Sequence, residues 1–306
     1  MRRSGFVLAL VGLFWLVGCQ ENSPVELALD QTTAALEVKV LPAIDPTLIV
    51  DASVDTSGVM QQEEQLYPAT FLINGVKTDL GDSRSSFSFS RILLNEKKKP
   101  ISDSSGKVIG YQGLDVGTAK VNTVDLPKVL RPFRTWTSFS PDINAGRAYT
   151  LVDQDNLPVG NFTYASGQTY RFVADGRGLV SPFELAISSP EEITILEPKA
   201  GSVVFKNDDL QIRWSGKVGG TFRVLISSFN ARSNVPVKPL LQVEVKEGLN
   251  SVTLPAKVLK NLQANSDGRY LFSFISMNRS VTSVPGYTGN VLVQAASIHN
   301  IQLWVK

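Results

Sequence analysis

The sequence predicts an all-β protein with two antiparallel β-sandwich domains, preceded by an export signal and a flexible tether. From Tyr67 onward, short runs rich in Val, Ile, Phe, Tyr and Thr alternate with turn-forming residues at short, regular intervals. An apolar run opens the chain, and a polar stretch without aromatic residues follows it. We therefore expect a signal peptide at 1–18, a mostly irregular tether at 19–65, and β-sandwich domains at 66–189 and 190–306.

The composition excludes several classes of protein. Hydrophobic residues make up 43% of the 306 residues and charged residues 19%, which is too apolar for a disordered chain. Thirty basic against 28 acidic residues give a net charge of +2, and loss of Arg2 and Arg3 with the signal leaves 28 against 28. This balance argues against a nucleic-acid partner. One Cys and one His argue against disulfide frameworks, thiolate zinc sites and Cys/His catalysis, so we expect no cofactor and no metal.

The first 19 residues have the pattern of an export signal. Arg2 and Arg3 are followed by the apolar run 6–17, which is too short for a comfortable membrane span. The run ends in Leu-Val-Gly-Cys at positions 16 to 19, and a polar stretch follows. This string resembles the lipobox of bacterial lipoproteins.

The resemblance implies cleavage between Gly18 and Cys19 and acylation of the Cys19 thiol with fatty acids such as palmitate. Two or more acyl chains would hold the protein stably on a membrane. Gln20, where lipoproteins of the inner membrane often have Asp, implies an outer-membrane destination if the source has two membranes. The alternatives are an ordinary signal peptide with an incidental Cys and a twin-arginine export signal.

The segment 19–65 is predicted to be mostly a tether. About 45 flexible residues would span roughly 35–40 Å, enough to lift a domain clear of a lipid surface. Two pieces within it, Leu36–Val40 and Thr47–Val50, have the composition of strands. The alternative is that these pieces pair with the edge of the first domain.

The first β domain begins with an expected hairpin. Asn74 and Gly75 separate two short apolar runs and suit a tight turn between strands. Further strands are predicted at 86–94, 107–111, 118–124, 133–139, 148–153, 169–174 and 183–188. An antiparallel sandwich is the simplest arrangement that buries one face of each sheet.

The second β domain begins after a boundary at Ser188–Glu192. Its opening contains Ile193, Ile195, Pro198 and Gly201, and a strand with Ile212 and Trp214 follows. This pattern resembles bacterial Ig-like surface domains, which implies a sandwich fold and says little about a ligand. Trp214 would be a buried tryptophan on a central strand. The segment 255–263 is expected to form a helical connector of one to two turns.

Three tyrosines follow a glycine in similar surroundings. Tyr149, Tyr170 and Tyr270 each come shortly after Gly and lie two positions before another inward residue. We expect their hydroxyls to bind nearby backbone groups; a platform for a ligand is the alternative.

No catalytic constellation is apparent in the sequence. The only imidazole, His299, is predicted to lie at the surface or on an edge, on the face opposite Ile298. The nearby carboxylate pairs, Asp153 with Asp155 and Glu191 with Glu192, lie in turn or linker sequence and are expected to be solvated. The sequence therefore predicts no catalytic residue and no metal ligand.

An aromatic residue suggests one ligand site. If 133–139 is one strand with Phe133 and Phe139 facing the core, Trp136 points outward beside Arg134. An exposed tryptophan flanked by polar groups can stack on a sugar ring, with Tyr164 as a companion. The alternative is that Trp136 packs under a loop or against the second domain.

Together these features predict a non-enzymatic protein of the bacterial cell envelope. It would be anchored to the membrane through its N-terminal lipid and would bind an envelope glycan or another envelope protein. The alternatives are a structural spacer or assembly factor without a small-ligand site, and a divergent carbohydrate-active enzyme.

Overall fold

The computed structural model describes residues 25–26, 36–41, 67–102, 105–134, 139–151, 162–228, 238–246, 248–262 and 267–306. For 25–26, 132–134, 139–144 and 238 it describes the backbone only. The described chain is almost entirely β, as the sequence predicts, with one short helix. The lipobox, Trp136, Asp153 and Asp155 lie outside the described residues.

The elements follow the chain in this order. The first strands are β1 (Val25–Glu26), β2 (Leu36–Val40), β3 (Ala69–Asp79), β4 (Arg84–Ser102), β5 (Val108–Gly113), β6 (Ala119–Val121), β7 (Val124–Asp125), β8 (Lys128–Arg134), β9 (Phe139–Thr150), β10 (Thr169–Ala174) and β11 (Phe183–Ser188). The remaining elements are β12 (Thr194–Glu197), β13 (Val203–Val204), β14 (Leu210–Ser215), β15 (Thr221–Ser228), β16 (Lys238–Val245), β17 (Ser251–Leu254), α1 (Ala256–Leu259), β18 (Arg269–Thr282) and β19 (Val291–Val305).

One large sheet runs through both predicted domains. Its order within the described chain is β1-β2-β16-β15-β18-β19-β3-β4-β5-β9-β8, with β13 beside β19. The link between the two predicted domains is the parallel pairing of β19 with β3, in which Val291 lies opposite Ala69. The division at residue 190 stays a prediction, but the sheet itself is continuous across it.

Two smaller sheets pack on the same face of the large sheet. One has the order β11-β10-β6-β7 and the other the order β12-β14-β17. Along β19, Val291, Val293 and Ala295 belong to the core under the four-stranded sheet, and Leu303 and Val305 to the core under the three-stranded sheet. Residues two apart on a strand point to the same side, so both cores lie on one face.

Each core is built around aromatic rings. Under the four-stranded sheet the Phe71 ring stacks on Phe183 with centroids 5.3 Å apart. Under the three-stranded sheet Trp214, which is 2% exposed on the central strand β14, lies 4.6 Å from Phe222. The burial predicted for Trp214 is confirmed. Each such side chain contributes about 1.5–3 kcal/mol on leaving water.

The hairpin predicted at Asn74 and Gly75 is wrong. Strand β3 continues through both residues, which pair with β4 on one side and β19 on the other. The turn comes later, where the Leu80 N–H donates to the Ser83 carbonyl at 2.9 Å. Gly75 serves a packing role instead, because any Cβ there would overlap the Tyr164 ring.

The single strand predicted at 133–139 is also wrong. Strand β8 ends at Arg134, and β9 begins at Phe139 as its antiparallel partner. The alternation that placed Trp136 opposite the two phenylalanines therefore does not apply, because the two ends of the segment belong to different strands.

Part of the predicted tether belongs to the sheet. Leu36–Val40 forms β2 as its alternating pattern predicts, with Leu36 and Val38 buried and Glu37 exposed. It pairs with β16, where Val40 lies opposite Leu241, and so joins the second predicted domain rather than the first. Thr47–Val50 lies outside the described residues.

The strand predicted at 118–124 is wrong, because β6 and β7 are two short strands that pair antiparallel across a turn. Two other local predictions hold. The helical connector forms as α1, with Val258 and Leu259 buried. The Tyr170 hydroxyl donates to the Ala165 carbonyl at 3.0 Å, and the Tyr149 hydroxyl accepts from the Val116 N–H at 2.8 Å. The backbone-binding role is therefore confirmed for these two tyrosines.

Candidate ligand-binding cleft

A polar strip separates the two cores on the covered face of the large sheet. The register of β4, β3 and β19 places residues in cross-strand rows that point to the same side. One row is Ser88, Gly75 and Ser297, and the next is Ser86, Lys77 and His299. Since the small sheets end on either side of these rows, the strip forms the floor of a cleft.

The cleft has two halves that share Lys77 and Ser86. We call the larger, of about 520 Å³, the basic half; its charged or titratable lining residues are Lys77, Asp79, Arg84, Lys199 and His299. We call the smaller, of about 360 Å³, the aromatic half; the lining residues that it does not share are led by Phe87, Ser88, Phe162, Thr163 and Tyr164. An ion pair between Lys77 and Glu192 lies where the two halves meet.

Tyr164 forms one wall of the aromatic half. Its backbone N–H donates to the Ser88 hydroxyl at 2.7 Å, and its ring stacks on Tyr170 at 5.8 Å. The hydroxyl oxygen of Tyr164 is buried, and burial raises the pKa of this phenol. The ring is therefore fixed between Gly75 and Tyr170, with part of its surface on the cleft.

His299 forms part of the basic half. It lies on β19, inside the large sheet, where its Nδ1 accepts from the Ile195 N–H at 3.4 Å. Burial lowers the pKa of His299 below its ordinary value, so the imidazole is neutral at pH 7. With Nδ1 accepting, the proton of the neutral ring lies on Nε2, which is then a donor.

The carboxylates in the cleft are both engaged. Asp79 accepts from Arg84 Nε at 2.8 Å and from the Gly81 N–H at 2.9 Å. Glu192 pairs with Lys77. These bonds leave the basic half with more open donors than open acceptors.

The arrangement favours binding over covalent chemistry. Ser86 and His299 lie on strands separated by β3, so their backbones are about 10 Å apart, too far for a nucleophile and its base. Among the described residues, each half of the cleft is lined by a single carboxylate, whereas glycoside hydrolysis requires a pair. Hydroxyls, ring faces and charged groups can instead contact a polar ligand.

Two of the residues predicted to bind a ligand, Tyr164 and Arg134, lie in different parts of the fold. Tyr164 lines the cleft, whereas Arg134 lies at the end of the β8–β9 hairpin. Tyr149 and Thr150, at the opposite end of β9, pair with β4, and 11 residues of strand span roughly 35 Å. Trp136 lies outside the described residues, so its stacking role stays a prediction.

One expectation about charged residues is corrected. His299 points away from Ile298 as predicted, but it lies on an inner strand and in a cleft rather than at an edge. Glu192 is exposed in an irregular segment, as expected, and it also pairs with Lys77 across the cleft.

The sequence contained one overlooked signal for the cleft. Ser86, Ser88 and Ser90 alternate with Phe87 and Phe89, which places small hydroxyl residues on the face where apolar ones would extend the core. The partners of this strip, Lys77 and His299, are more than 200 residues apart in sequence and carry no local signal of their proximity.

Comparison with known proteins assigns no function to the cleft. No protein-family model matches the chain, and no curated protein matches it. Among the described residues no helix has the length and apolar character needed to cross a bilayer. Within the same residues, no cluster of three or more His, Cys, Asp or Glu side chains is arranged to hold a metal ion.

Proposed function

We propose that the protein is a non-enzymatic, lipid-anchored binding protein of the bacterial cell envelope and that its cleft holds an envelope glycan. The observation that carries this proposal is the floor of the aromatic half, where Ser86 and Ser88 lie beside the fixed ring of Tyr164. Saccharides present hydroxyls on their edges and apolar C–H faces, which match hydroxyl side chains and aromatic rings.

The envelope location rests on the lipobox resemblance at residues 16 to 19. In this proposal Cys19 carries the lipid, and the two smaller sheets with the large sheet form Ig-like sandwiches held above the membrane. Mass spectrometry of the native protein should find a mature chain that starts at Cys19 and carries acyl groups. An unacylated chain with an intact leader would remove the anchor from the proposal.

Glycan binding is tested directly with the full-length acylated protein in detergent. On an array of bacterial envelope glycans, we expect binding that falls in Ser86→Val, which removes a floor hydroxyl but keeps a strand-forming side chain. Thr253→Val, on the exposed side of β17, is the matched control and should bind as the parent does. Trp136→Ala in the same assay tests the stacking residue predicted from the sequence.

A structural spacer is the second candidate. Two observations favour it: the Lys77–Glu192 ion pair lies across the cleft, and much of the Tyr164 ring is packed against Gly75 and Tyr170. Capture of one specific envelope protein without any glycan binding would support the spacer. Turnover of a glycan, abolished by a single carboxylate substitution, would instead show an enzyme.

A further inference from the structure

The basic half of the cleft differs from the aromatic half in its hydrogen-bonding capacity. The side chains of Arg84 and Lys199 and the Nε2–H of His299 can only donate at neutral pH. The one carboxylate lining this half, Asp79, already accepts two hydrogen bonds. A ligand group placed here therefore meets donors with few competing acceptors.

The donors keep free capacity in the structure. Arg84 uses Nε for Asp79, and its two terminal amino groups remain available for a bidentate contact. The Lys199 side chain has no hydrogen bond or ion pair among the described residues, and His299 uses only Nδ1. The turn that carries Arg84 and the loop that carries Lys199 are in contact, since a Cβ on Gly81 would lie 3.3 Å from Gly201 Cα.

A group that only accepts hydrogen bonds and carries negative charge complements this set. Carboxylate oxygens fit, because they accept from Arg in a planar fork and from Lys and imidazole N–H groups. The adjoining aromatic half offers ring faces and hydroxyls to the remainder of the ligand. Its continuity with the basic half, through Lys77 and Ser86, lets one molecule occupy both.

We infer that the cleft selects an acidic saccharide, with its carboxylate in the basic half among Arg84, Lys199 and His299 and its sugar ring in the aromatic half against Tyr164. This inference rests on the proposed function and narrows it to one class of glycan. Neutral saccharides of the same size would fill only the aromatic half.

Two matched pairs of ligands test the inference by isothermal titration calorimetry with the full-length acylated protein. One pair is the disaccharide of N-acetylglucosamine and N-acetylmuramic acid against N,N′-diacetylchitobiose, which lacks the lactyl carboxylate. The other is trigalacturonic acid against its methyl ester. We expect at least one acid to bind roughly tenfold or more tighter than its neutral partner, the effect of one charge-assisted contact.

Variants locate the preference. Lys199→Ala and Arg84→Ala should each remove most of the preference for the acid, measured within each variant as the ratio of the affinities for the acid and its neutral partner. Lys217→Ala, an exposed lysine outside the cleft, is the control and should keep the preference. Raising NaCl from about 0.05 M to about 0.5 M should weaken binding of the acid but not binding of the neutral partner.

The outcomes separate the inference from the proposed function. Equal affinity for acid and neutral ligands, reduced in Ser86→Val, would overturn the inference and keep glycan binding in the cleft. A preference for acids that survives in both Lys199→Ala and Arg84→Ala would also overturn it. Binding of none of the four ligands, with no binding on the array of envelope glycans, would overturn both.

Discussion

Gly75 of the large sheet packs directly against Tyr164 in the wall of the cleft, because the Tyr164 ring lies where a side chain at position 75 would begin. Strand β3 therefore contains a glycine at its centre, although glycine weakens a strand. The contact fixes the ring that faces the aromatic half.

Gly75→Ala is expected to displace Tyr164 and to lower the free energy of unfolding by about 1–3 kcal/mol, the usual cost of overpacking. Urea denaturation measures this change in the free energy of unfolding. Gly219→Ala is the control, since a Cβ there meets only ordinary contacts, at 3.7 Å from Asn278. A Gly75→Ala variant as stable as the parent would contradict the packing role.

Much of the fold can be predicted from local patterns in the sequence. The strands 169–174 and 183–188 match β10 and β11, because each is bounded by strong turn signals. The hairpin prediction at Asn74 is wrong because Gly75, which makes room for the Tyr164 ring, looks the same in the sequence as a glycine in a turn. The pairing of β3 with β19 joins segments from opposite ends of the chain, and no local pattern reports it.

The candidate site was predicted only in part for a related reason. Tyr164 was chosen from the sequence, but Ser86, Lys77 and His299 become a site only when three strands come into register. Each of them alone has an ordinary strand or surface role.

The stability of the protein should depend on His299 between pH 5 and pH 7.5. Burial lowers the pKa of His299 in the folded state, so the unfolded chain binds more protons in this window. In the unfolded chain the pKa of His299 is about 6.5. Above that pH the buried imidazole does not reduce the stability of the folded protein, and as the pH falls below it stability is lost.

The measurement is the free energy of unfolding in urea across that pH range. His299→Asn keeps an acceptor for the Ile195 N–H but cannot titrate, so its profile should be flatter. Because His299 is the only histidine in the chain, an equally steep profile in the variant would show that the imidazole is not the cause.

The ionised carboxylate of Asp115 should stabilise the folded protein, and this stabilisation should be lost in acid. Although burial opposes its ionisation, hydrogen bonds from Lys128, the Gly117 N–H and the Tyr149 hydroxyl lower its pKa to about 2. This contribution is present above the unfolded pKa of 3.8 and is lost as pH falls from there toward 2.

We expect Asp115→Asn to lower the free energy of unfolding at pH 7 by about 1 kcal/mol, a value reduced for solvent screening. Asp125→Asn, whose carboxylate is exposed beside Lys120, should change it far less. If the parent and Asp115→Asn lose stability in parallel on acidification from pH 4 to pH 2, the carboxylate does not have this role.

Glu192 is expected to limit the affinity for acidic ligands. It places a negative charge at the junction of the two halves and occupies Lys77. Glu192→Ala should therefore tighten binding of an acidic saccharide by up to roughly fivefold, or about 1 kcal/mol, with little change in stability because the pair is exposed. Isothermal titration calorimetry measures this change in affinity. The control is Glu197→Ala, which breaks the exposed pair with Arg213 outside the cleft and should leave the affinity for the acidic saccharide unchanged. Weaker binding in Glu192→Ala would mean that the carboxylate itself contacts the ligand.

Hydrogen–deuterium exchange of the full-length acylated protein, with and without a glycan found to bind it, tests the central claim most directly. We expect ligand-dependent protection confined to the strands and loops around the cleft, at 75–79, 85–88, 162–164 and 192–200. Protection centred on the β8–β9 hairpin around Trp136, with none at the cleft, would contradict the account.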